Sequence, residues 1–480
     1  MVRFVYCLIK LIRFYLVLGE MMSLGLFNVM HNGVISKELI DCNFEDLHKP
    51  LNLHQAKLEA NNCLYCYEAP CIKACPTTID IPTFIHQIRT DNVLGAAKTI
   101  LTDNILAGTC ARACPTEVLC EQACVLNASN QQAVKIGDLQ RYAVDYLFKQ
   151  ELPHPFKRNK LTGKKIAVIG AGPAGLSCAH RSAILGHDVT VFEAKSKAGG
   201  LNEYGLAAYK MIDDFAQREI KFLLEIGGIS IECNSQLGKK LSLATLREDF
   251  DAVFIGFGLS KRKMLGIEGE NDHRIINAVD FIEQLRQSKD KSMLKVGKDV
   301  IVIGAGNTAI DAAIQAKRLG AKNVTLVYRR GEESMSASRW EIDLARQNSV
   351  NFIFWAAPKL FSAEYLNSNI IFQRTQLVNN TITATTEEFS LACDMLLTAI
   401  GQKLDHRHLA NIDIEKDKIV VSKNYETSLF GVFAGGDCIA SGEDLTVQAV
   451  EDGKQAAHSI DRHLLLQSKK TNHSINERDA

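Results

Sequence analysis

The chain has no surplus of either charge. Its 480 residues carry 55 Lys plus Arg against 55 Asp plus Glu, a formal charge of zero. A protein that grips nucleic acid in general needs a basic surplus to displace counterions from phosphate, so that role is excluded. No apolar run approaches the roughly 18 residues that cross a bilayer, which excludes a membrane pump. Nor are the cysteines dispersed. There are 14, and eight of them fall between Cys63 and Cys124 while six stand singly. A disulfide scaffold would spread its cysteines through a short secreted chain. Clustering in one segment of a large chain points to thiolate ligands in a reducing compartment, and the cytoplasm is the expected location. What is present is ordinary globular composition, 46% apolar and 23% charged. At roughly 100–200 residues per domain, three or four domains are expected.

The segment Met1 to Asn32 is apolar but broken by Arg3, Lys10 and Arg13, and no small-residue cleavage site follows it. Residues 1–45 are expected to be an N-terminal extension whose true start is Met21, Met22 or Met30, with an interfacial amphipathic helix as the alternative.

From Cys42 to Pro155 the pattern is helical and cysteine-rich, with apolar residues at helical spacing in Ile81–Ile88 and Val93–Ile100. The texture then changes to apolar strands meeting glycine turns. Lys165-Ile-Ala-Val-Ile-Gly170 is followed by His187-Asp-Val-Thr-Val-Phe192, and the phrase recurs at Lys298-Asp-Val-Ile-Val-Ile-Gly304 and Asn323-Val-Thr-Leu-Val-Tyr328. Strand–turn–helix alternation of this kind predicts parallel α/β architecture with two nucleotide-binding units. A helix is expected from Leu445 to about Leu464, and a polar tail after Gln467.

In the first unit Gly170-Ala-Gly172-Pro-Ala-Gly175 follows a strand and opens a helix. Such glycines allow a tight turn and close approach of backbone to pyrophosphate, which the helix N-terminus attracts. Glu193 ends the next strand, 18 residues after Gly175, where a carboxylate accepts from ribose hydroxyls. In the second unit Gly304-Ala-Gly306-Asn307-Thr308-Ala309 keeps the first two glycines, but the acid is replaced by Tyr328, Arg329 and Arg330. A carboxylate there repels a 2′-phosphate and an arginine pair binds one, so these residues favour NADP over NAD. Two dinucleotide sites in one chain suggest a flavin that receives hydride from a nicotinamide.

With Gly199-Gly200, Thr398-Ala-Ile-Gly401-Gln and Gly435-Gly436-Asp437 added, the chain resembles the two-dinucleotide-domain flavoprotein reductases. That resemblance implies FAD in the first unit, NAD(P)H in a second unit inserted into the first, and Asp437 on the flavin's ribityl or pyrophosphate. After Gly205 this chain reads Leu-Ala-Ala-Tyr-Lys210, where such reductases usually have Ile-Pro.

The cysteine block has two runs, Cys63-x2-Cys66-x4-Cys71-x3-Cys75-Pro and Cys110-x3-Cys114-Pro-x4-Cys120-x3-Cys124. Thiolates at this spacing suit iron–sulfur clusters or zinc, and the Cys-Pro endings echo bacterial ferredoxins. Residues 62–147 resemble the N-terminal cluster domain shared by dihydropyrimidine dehydrogenases and the small subunit of glutamate synthase. The resemblance implies two 4Fe–4S clusters. Cys63, Cys66, Cys71 and Cys124 would hold one. Cys75, Cys114 and Cys120 would hold the other, completed by Gln140 in Ile136-Gly-Asp-Leu-Gln140-Arg-Tyr, as in the dihydropyrimidine branch; Cys110 is the substitute if Gln140 is not a ligand.

The whole resemblance runs from about Leu47 to Leu466. It implies a multidomain fold: extension 1–45, a helical double-cluster domain 46–156, an FAD domain in two parts (160–285 and 397–467), an NAD(P)H domain 286–396, and a tail 468–480. No stretch is left for a barrel of about 250 residues to hold FMN and an organic substrate. The expected role is therefore an electron-input subunit. It would pass electrons from NAD(P)H through FAD and two clusters to a separate FMN/iron–sulfur barrel subunit that reduces uracil or thymine, in pyrimidine catabolism. The bacterial two-subunit enzyme of this kind is NAD-linked, against the arginine reading, so the nicotinamide stays open. The alternatives are a glutamate synthase small subunit, an NAD(P)H:ferredoxin-type oxidoreductase, or a non-catalytic zinc- and nucleotide-binding module. No acid–base pair is nominated, because the cofactors carry the chemistry.

Overall fold

A computed structural model describes residues 36–150, 152–363 and 368–476. The reading of Met1–Asn32 lies outside them. The chain divides into two compact units: residues up to Leu47 with Ala207–Tyr209 and Leu265–Ala399, and His48–Leu206 with Lys210–Met264 and everything from Ile400. Among the described residues no helix is long and apolar enough to cross a membrane.

The larger unit begins all-helical. The helix Leu53–Ala60 is opened by a capping box, Asn52 accepting from the Gln55 N–H and Gln55 answering the Asn52 N–H. Ile81–Arg89 starts on Asp80, whose carboxylate accepts from the Thr83 N–H. It buries Ile81, Phe84, Ile85 and Ile88, the helical spacing expected from the sequence. Val93–Asp103 answers with Val93, Ala96, Ala97, Ile100 and Leu101. Each large side chain so buried contributes on the order of 2 kcal/mol. Ala107–Ala113 and Ile136–Lys149 complete the bundle.

The flavin-type part of this unit is a parallel sheet of β1 (Lys165–Ile169), β2 (Asp188–Phe192), β3 (Ile229–Glu232), β4 (Ala252–Ile255) and β17 (Val432–Ala434), in the order β17-β4-β1-β2-β3. Every residue of β4 is buried, as in a strand covered on both faces. The helix Pro173–Ile184 follows β1 and packs on the C-terminal helix Thr446–Asn476. Gly453 makes that packing close, since a Cβ there would stand 2.0 Å from the Ala174 carbonyl oxygen. Two short antiparallel pairs, β5 (Lys261–Arg262) with β14 (Gln402–Lys403) and β15 (Ile414–Glu415) with β16 (Lys418–Ile419), complete this unit's strands. The C-terminal helix runs twelve residues beyond the expected Leu464, because neither glycine nor proline follows Gly453 to stop it.

The smaller unit repeats the architecture. Its parallel sheet runs β6-β13-β7-β8-β9, from β6 (Ile275–Asn277), β7 (Asp299–Gly304), β8 (Asn323–Tyr328), β9 (Asn351–Phe354) and β13 (Met395–Ala399). An antiparallel sheet of β10 (Ala356–Ala363), β11 (Ser368–Val378) and β12 (Thr381–Ala392) stands between β9 and β13 in sequence.

Candidate flavin, nicotinamide and iron–sulfur sites

The two outer glycines of the first motif are required by the protein itself. A Cβ on Gly170, at φ +100°, would meet the Phe257 Cα at 2.5 Å, and one on Gly175 would meet the Gly170 carbonyl oxygen at 1.9 Å. Gly172 is different. A Cβ there would find no protein atom nearer than 3.8 Å, although its backbone is ordinary extended chain. Its missing side chain leaves a cradle in front of the N-terminus of Pro173–Ile184, the place a pyrophosphate occupies in this motif. Gly200, at φ +53°, lies against Gly172, where a Cβ would reach its Cα at 2.7 Å. Glu193 is buried at the end of β2 and accepts from the Ala171 N–H at 2.9 Å and the Lys195 N–H at 2.8 Å.

The end of β17 closes the same site. Gly436, at φ +84°, approaches the Ala174 side chain, and its N–H donates to Asp452 at 3.0 Å. Burial, aided by Asp444, pushes the Asp437 carboxyl up to about 6, while Lys418 and backbone N–H groups hold it down. The structure thus gathers Gly170, Gly172, Gly175, Glu193, Gly200, Gly436 and Asp437 at the carboxyl ends of β1, β2, β4 and β17. The donor set and the cradle fit a dinucleotide. Gly401, at φ +88°, lies beside Lys263.

In the smaller unit Gly304 ends β7 at φ +150°, and a Cβ there would meet the Ala399 carbonyl oxygen at 2.4 Å. Gly306, like Gly172, is nearly free: its Cβ would meet only Ser336 Oγ, at 3.3 Å. Asn307 begins the helix Asn307–Arg318, and its buried Oδ1 accepts no hydrogen bond, which fits a ligand hydroxyl or amide as donor. Thr308 is exposed beside it. Arg329 and Arg330 follow β8, both exposed, with their carbonyls held by Thr375 Oγ1 at 2.9 Å and the Trp355 N–H at 3.2 Å.

The cysteine block forms two groups. Cys63, Cys66, Cys71 and Cys124 line one pocket, whose other walls include Pro70, Ile81, Ile85, Leu126 and Ile136. Burial pushes the Cys71 thiol up to about 11, and Cys63 and Cys124 push the same way. Thiolates crowded in an apolar pocket repel one another unless a cationic centre neutralises them, which is the chemistry an iron–sulfur group supplies. Among the described residues, no three His, Cys, Asp or Glu side chains are grouped to hold a metal ion. Cys114 is raised by a hydrogen bond with Cys110 and by burial, and Cys120 and Cys75 act on it in the same direction. Cys110 therefore stands with Cys75, Cys114 and Cys120. Gln140 is buried on Ile136–Lys149 and its Nε2 donates to the Ala107 carbonyl at 2.8 Å, one turn before Cys110. That bond leaves the amide oxygen as the atom it has to offer a metal.

Residues that the motifs do not mark tie the cluster segment to the flavin segment. Glu219, fully buried on the helix Phe215–Leu224, accepts from the Gly108 N–H at 2.8 Å, the Thr109 N–H at 3.1 Å and Thr109 Oγ1. Burial pushes its carboxyl up to about 7 against those bonds and Arg112. Arg112 lies over the Phe215 ring, 3.6 Å from its centroid, and pairs with Asp145 at 2.7 and 2.9 Å. Nothing in sequence spacing signals these pairs, since Glu219 lies 110 residues from Thr109.

Comparison with known proteins adds the decisive observation. The family model for pyridine nucleotide-disulphide oxidoreductases matches residues 164–453. The chain belongs to that family. Residues 41–152 match the 4Fe–4S cluster domain described as dihydropyrimidine dehydrogenase domain II. The chain is 33% identical over 406 residues to an NAD-dependent dihydropyrimidine dehydrogenase subunit, PreT, of Escherichia coli (strain K12), covering 85% of this chain and 93% of the relative. It is 32% identical over 442 residues to the glutamate synthase [NADPH] small chain of the same organism, covering 87% and 93%. Among solved structures, Mycobacterium tuberculosis FprA in complex with NADPH shares the fold, with TM-score 0.54 and 17% identity over 66% of this chain and 89% of that one. This pyridine nucleotide-disulphide oxidoreductase is thus a flavoprotein of the NAD(P)-dependent type with an N-terminal 4Fe–4S domain. The choice between iron–sulfur and zinc, open on spacing alone, falls to iron–sulfur.

Proposed function

We propose that the chain is the electron-input subunit of a cytoplasmic dihydropyrimidine dehydrogenase, working with a separate FMN/iron–sulfur barrel subunit that reduces uracil or thymine. The supporting observation is the joint match of both segments, in order, to relatives named as PreT subunits over 85% of the chain. When bound, the groups would take hydride from NAD(P)H onto FAD and release the electrons singly through two 4Fe–4S clusters.

The chain's own residues bind and orient. Gly172 and Gly306 open backbone N–H groups to the two pyrophosphates, and Glu193 fixes the first ribose. Gly401 and Asp437 flank the flavin. Arg329 and Arg330 meet the second adenosine ribose or its 2′-phosphate, with Asn307 and Thr308 at the helix start. Cys63, Cys66, Cys71 and Cys124 hold one cluster; Cys75, Cys114, Cys120 and Gln140 hold the other. Gln140 favours the pyrimidine branch.

A second reading, electron supply to a glutamate synthase, rests on the 32% identity to that enzyme's small chain. Purification from the native host under anaerobic conditions separates the two. A co-purifying barrel flavoprotein with NAD(P)H-dependent uracil reduction is the expected result; a very large amidotransferase instead would assign the chain to glutamate synthesis. Replacing Gln140 by Ala is expected to alter one cluster's paramagnetic resonance signal. An unchanged spectrum, with loss on Cys110→Ser, would make Cys110 the ligand.

A further inference from the structure

The loop after Cys75 is held by more contacts than a change of chain direction requires. The Thr77 Oγ1 lies 3.3 Å from the Cys75 sulfur, and Thr77 is wholly buried. Between two neutral groups either atom is the donor. Once Cys75 is a thiolate ligand it accepts only, and the hydroxyl must donate. The orientation of Thr77 is then set from both sides. Its carbonyl accepts from Thr78 Oγ1 at 2.8 Å and from Lys454 Nζ at 3.2 Å. Thr78 takes φ +55°, a left-handed conformation that a β-branched residue rarely adopts, and its N–H closes back on the Cys75 carbonyl at 2.9 Å.

Lys454 comes from the C-terminal helix of the flavin part, 377 residues away. It is buried and also donates to the Asp103 carbonyl at 3.0 Å, while Glu451 pairs with it at 2.7 Å. Its charge is paired with Glu451, so its effect on the loop is mechanical: an ammonium donating to two backbone carbonyls pins Thr77. One residue earlier on the same helix, Gly453 packs on Ala174 at the start of the dinucleotide helix.

We propose that Thr77 is a positioning residue that sets the reduction potential of the cluster anchored by Cys75, donating its hydroxyl to that ligand's sulfur while Lys454 holds it in place. The inference rests on the cluster assignment proposed above. Reduction adds one negative charge, shared among iron, sulfide and thiolate sulfur. A hydrogen bond to a ligand sulfur favours the reduced form and raises the potential.

The test is a potentiometric titration followed by paramagnetic resonance on the full-length protein, with iron and acid-labile sulfide measured on the same samples. Thr77→Val keeps the shape and removes the donor. It should lower one of the two midpoints, leaving about tenfold less of that cluster reduced at a fixed potential, equivalent to about 59 mV for one electron. Thr77→Ser restores the donor and should restore the midpoint. Lys454→Gln should move the same midpoint in the same direction by less. Unchanged midpoints in Thr77→Val at full iron content overturn the proposal. Loss of half the iron in Thr77→Val would assign Thr77 to cluster retention and overturn it equally. Wild-type protein without iron and sulfide would instead refute the cluster assignment itself, a failure read before any variant is compared.

Discussion

At the scale of single residues, the two kinds of glycine in the flavin motif make separable predictions. Gly175 has no room for a methyl group because the Gly170 carbonyl fills the space, whereas Gly172 faces an open cradle with ordinary backbone angles. Gly175→Ala should fail to fold. Gly172→Ala should fold with an unchanged melting temperature yet bind FAD at least tenfold more weakly, about 1.4 kcal/mol, read as flavin content and fluorescence titration. Glu219 makes a prediction of the opposite origin. Its folded-state carboxyl lies near 7, above the ordinary 4.5, because burial penalises the anion. Its contribution to stability is therefore fully present below about 4.5 and is lost as pH rises through about 7, a change on the order of 3 kcal/mol. Glu219→Gln should flatten the dependence of melting temperature on pH across that window. An equally steep profile in the variant would show that Glu219 does not titrate there. The glycines were legible in the sequence because their constraint is local. Glu219, Asp452 and Thr77 were not, because each acts on a partner brought near only by the finished fold.

At the scale of elements, legibility followed the range of the determining interaction. The helices from Ile81 and Val93 were readable from their own apolar spacing, and the four dinucleotide strands from apolar runs meeting glycine. The antiparallel sheet β10–β12 was not. β12 reads Thr-Ile-Thr-Ala-Thr-Thr-Glu-Glu-Phe-Ser-Leu-Ala, a largely exposed strand whose sparse apolar residues carry little period-two signal. The end of β8 carries the prediction that belongs at this scale. Arg329 and Arg330 are exposed side by side, their guanidinium groups making no hydrogen bond or ion pair to other described residues, where an acid would stand in an NAD-selective strand. If they bind a 2′-phosphate, replacing both by Ala should raise the KM for NADPH tenfold or more and leave that for NADH within about twofold. Equal changes for both nucleotides would place the pair off the ribose and restore the NAD-linked reading that the PreT relatives' names carry.

At the scale of the whole molecule, the two activities of the relay should come apart. Flavin and nicotinamide residues lie at the carboxyl ends of two parallel sheets, while the thiols line the helical segment, whose buried apolar side chains share one core with the flavin segment and stay in place when a single thiol becomes a hydroxyl. Cys114→Ser removes one proposed ligand, a thiol grouped with Cys75, Cys110 and Cys120. It should therefore leave NAD(P)H-dependent reduction of a small dye at the flavin within about twofold of wild type. Reduction of the one-electron acceptor, whether the partner subunit or an added ferredoxin, should fall at least a hundredfold if the proposed relay carries electrons out of the flavin through the clusters. Stripping iron with a chelator under anaerobic conditions should reproduce the split, and rebuilding with iron and sulfide should reverse it for the wild type but not for the variant. Dye and protein acceptor failing together would mean that the flavin site needs the clusters in order to fold. Both surviving would mean that electrons reach the partner directly from the flavin, and that the helical domain is a docking module rather than a conductor.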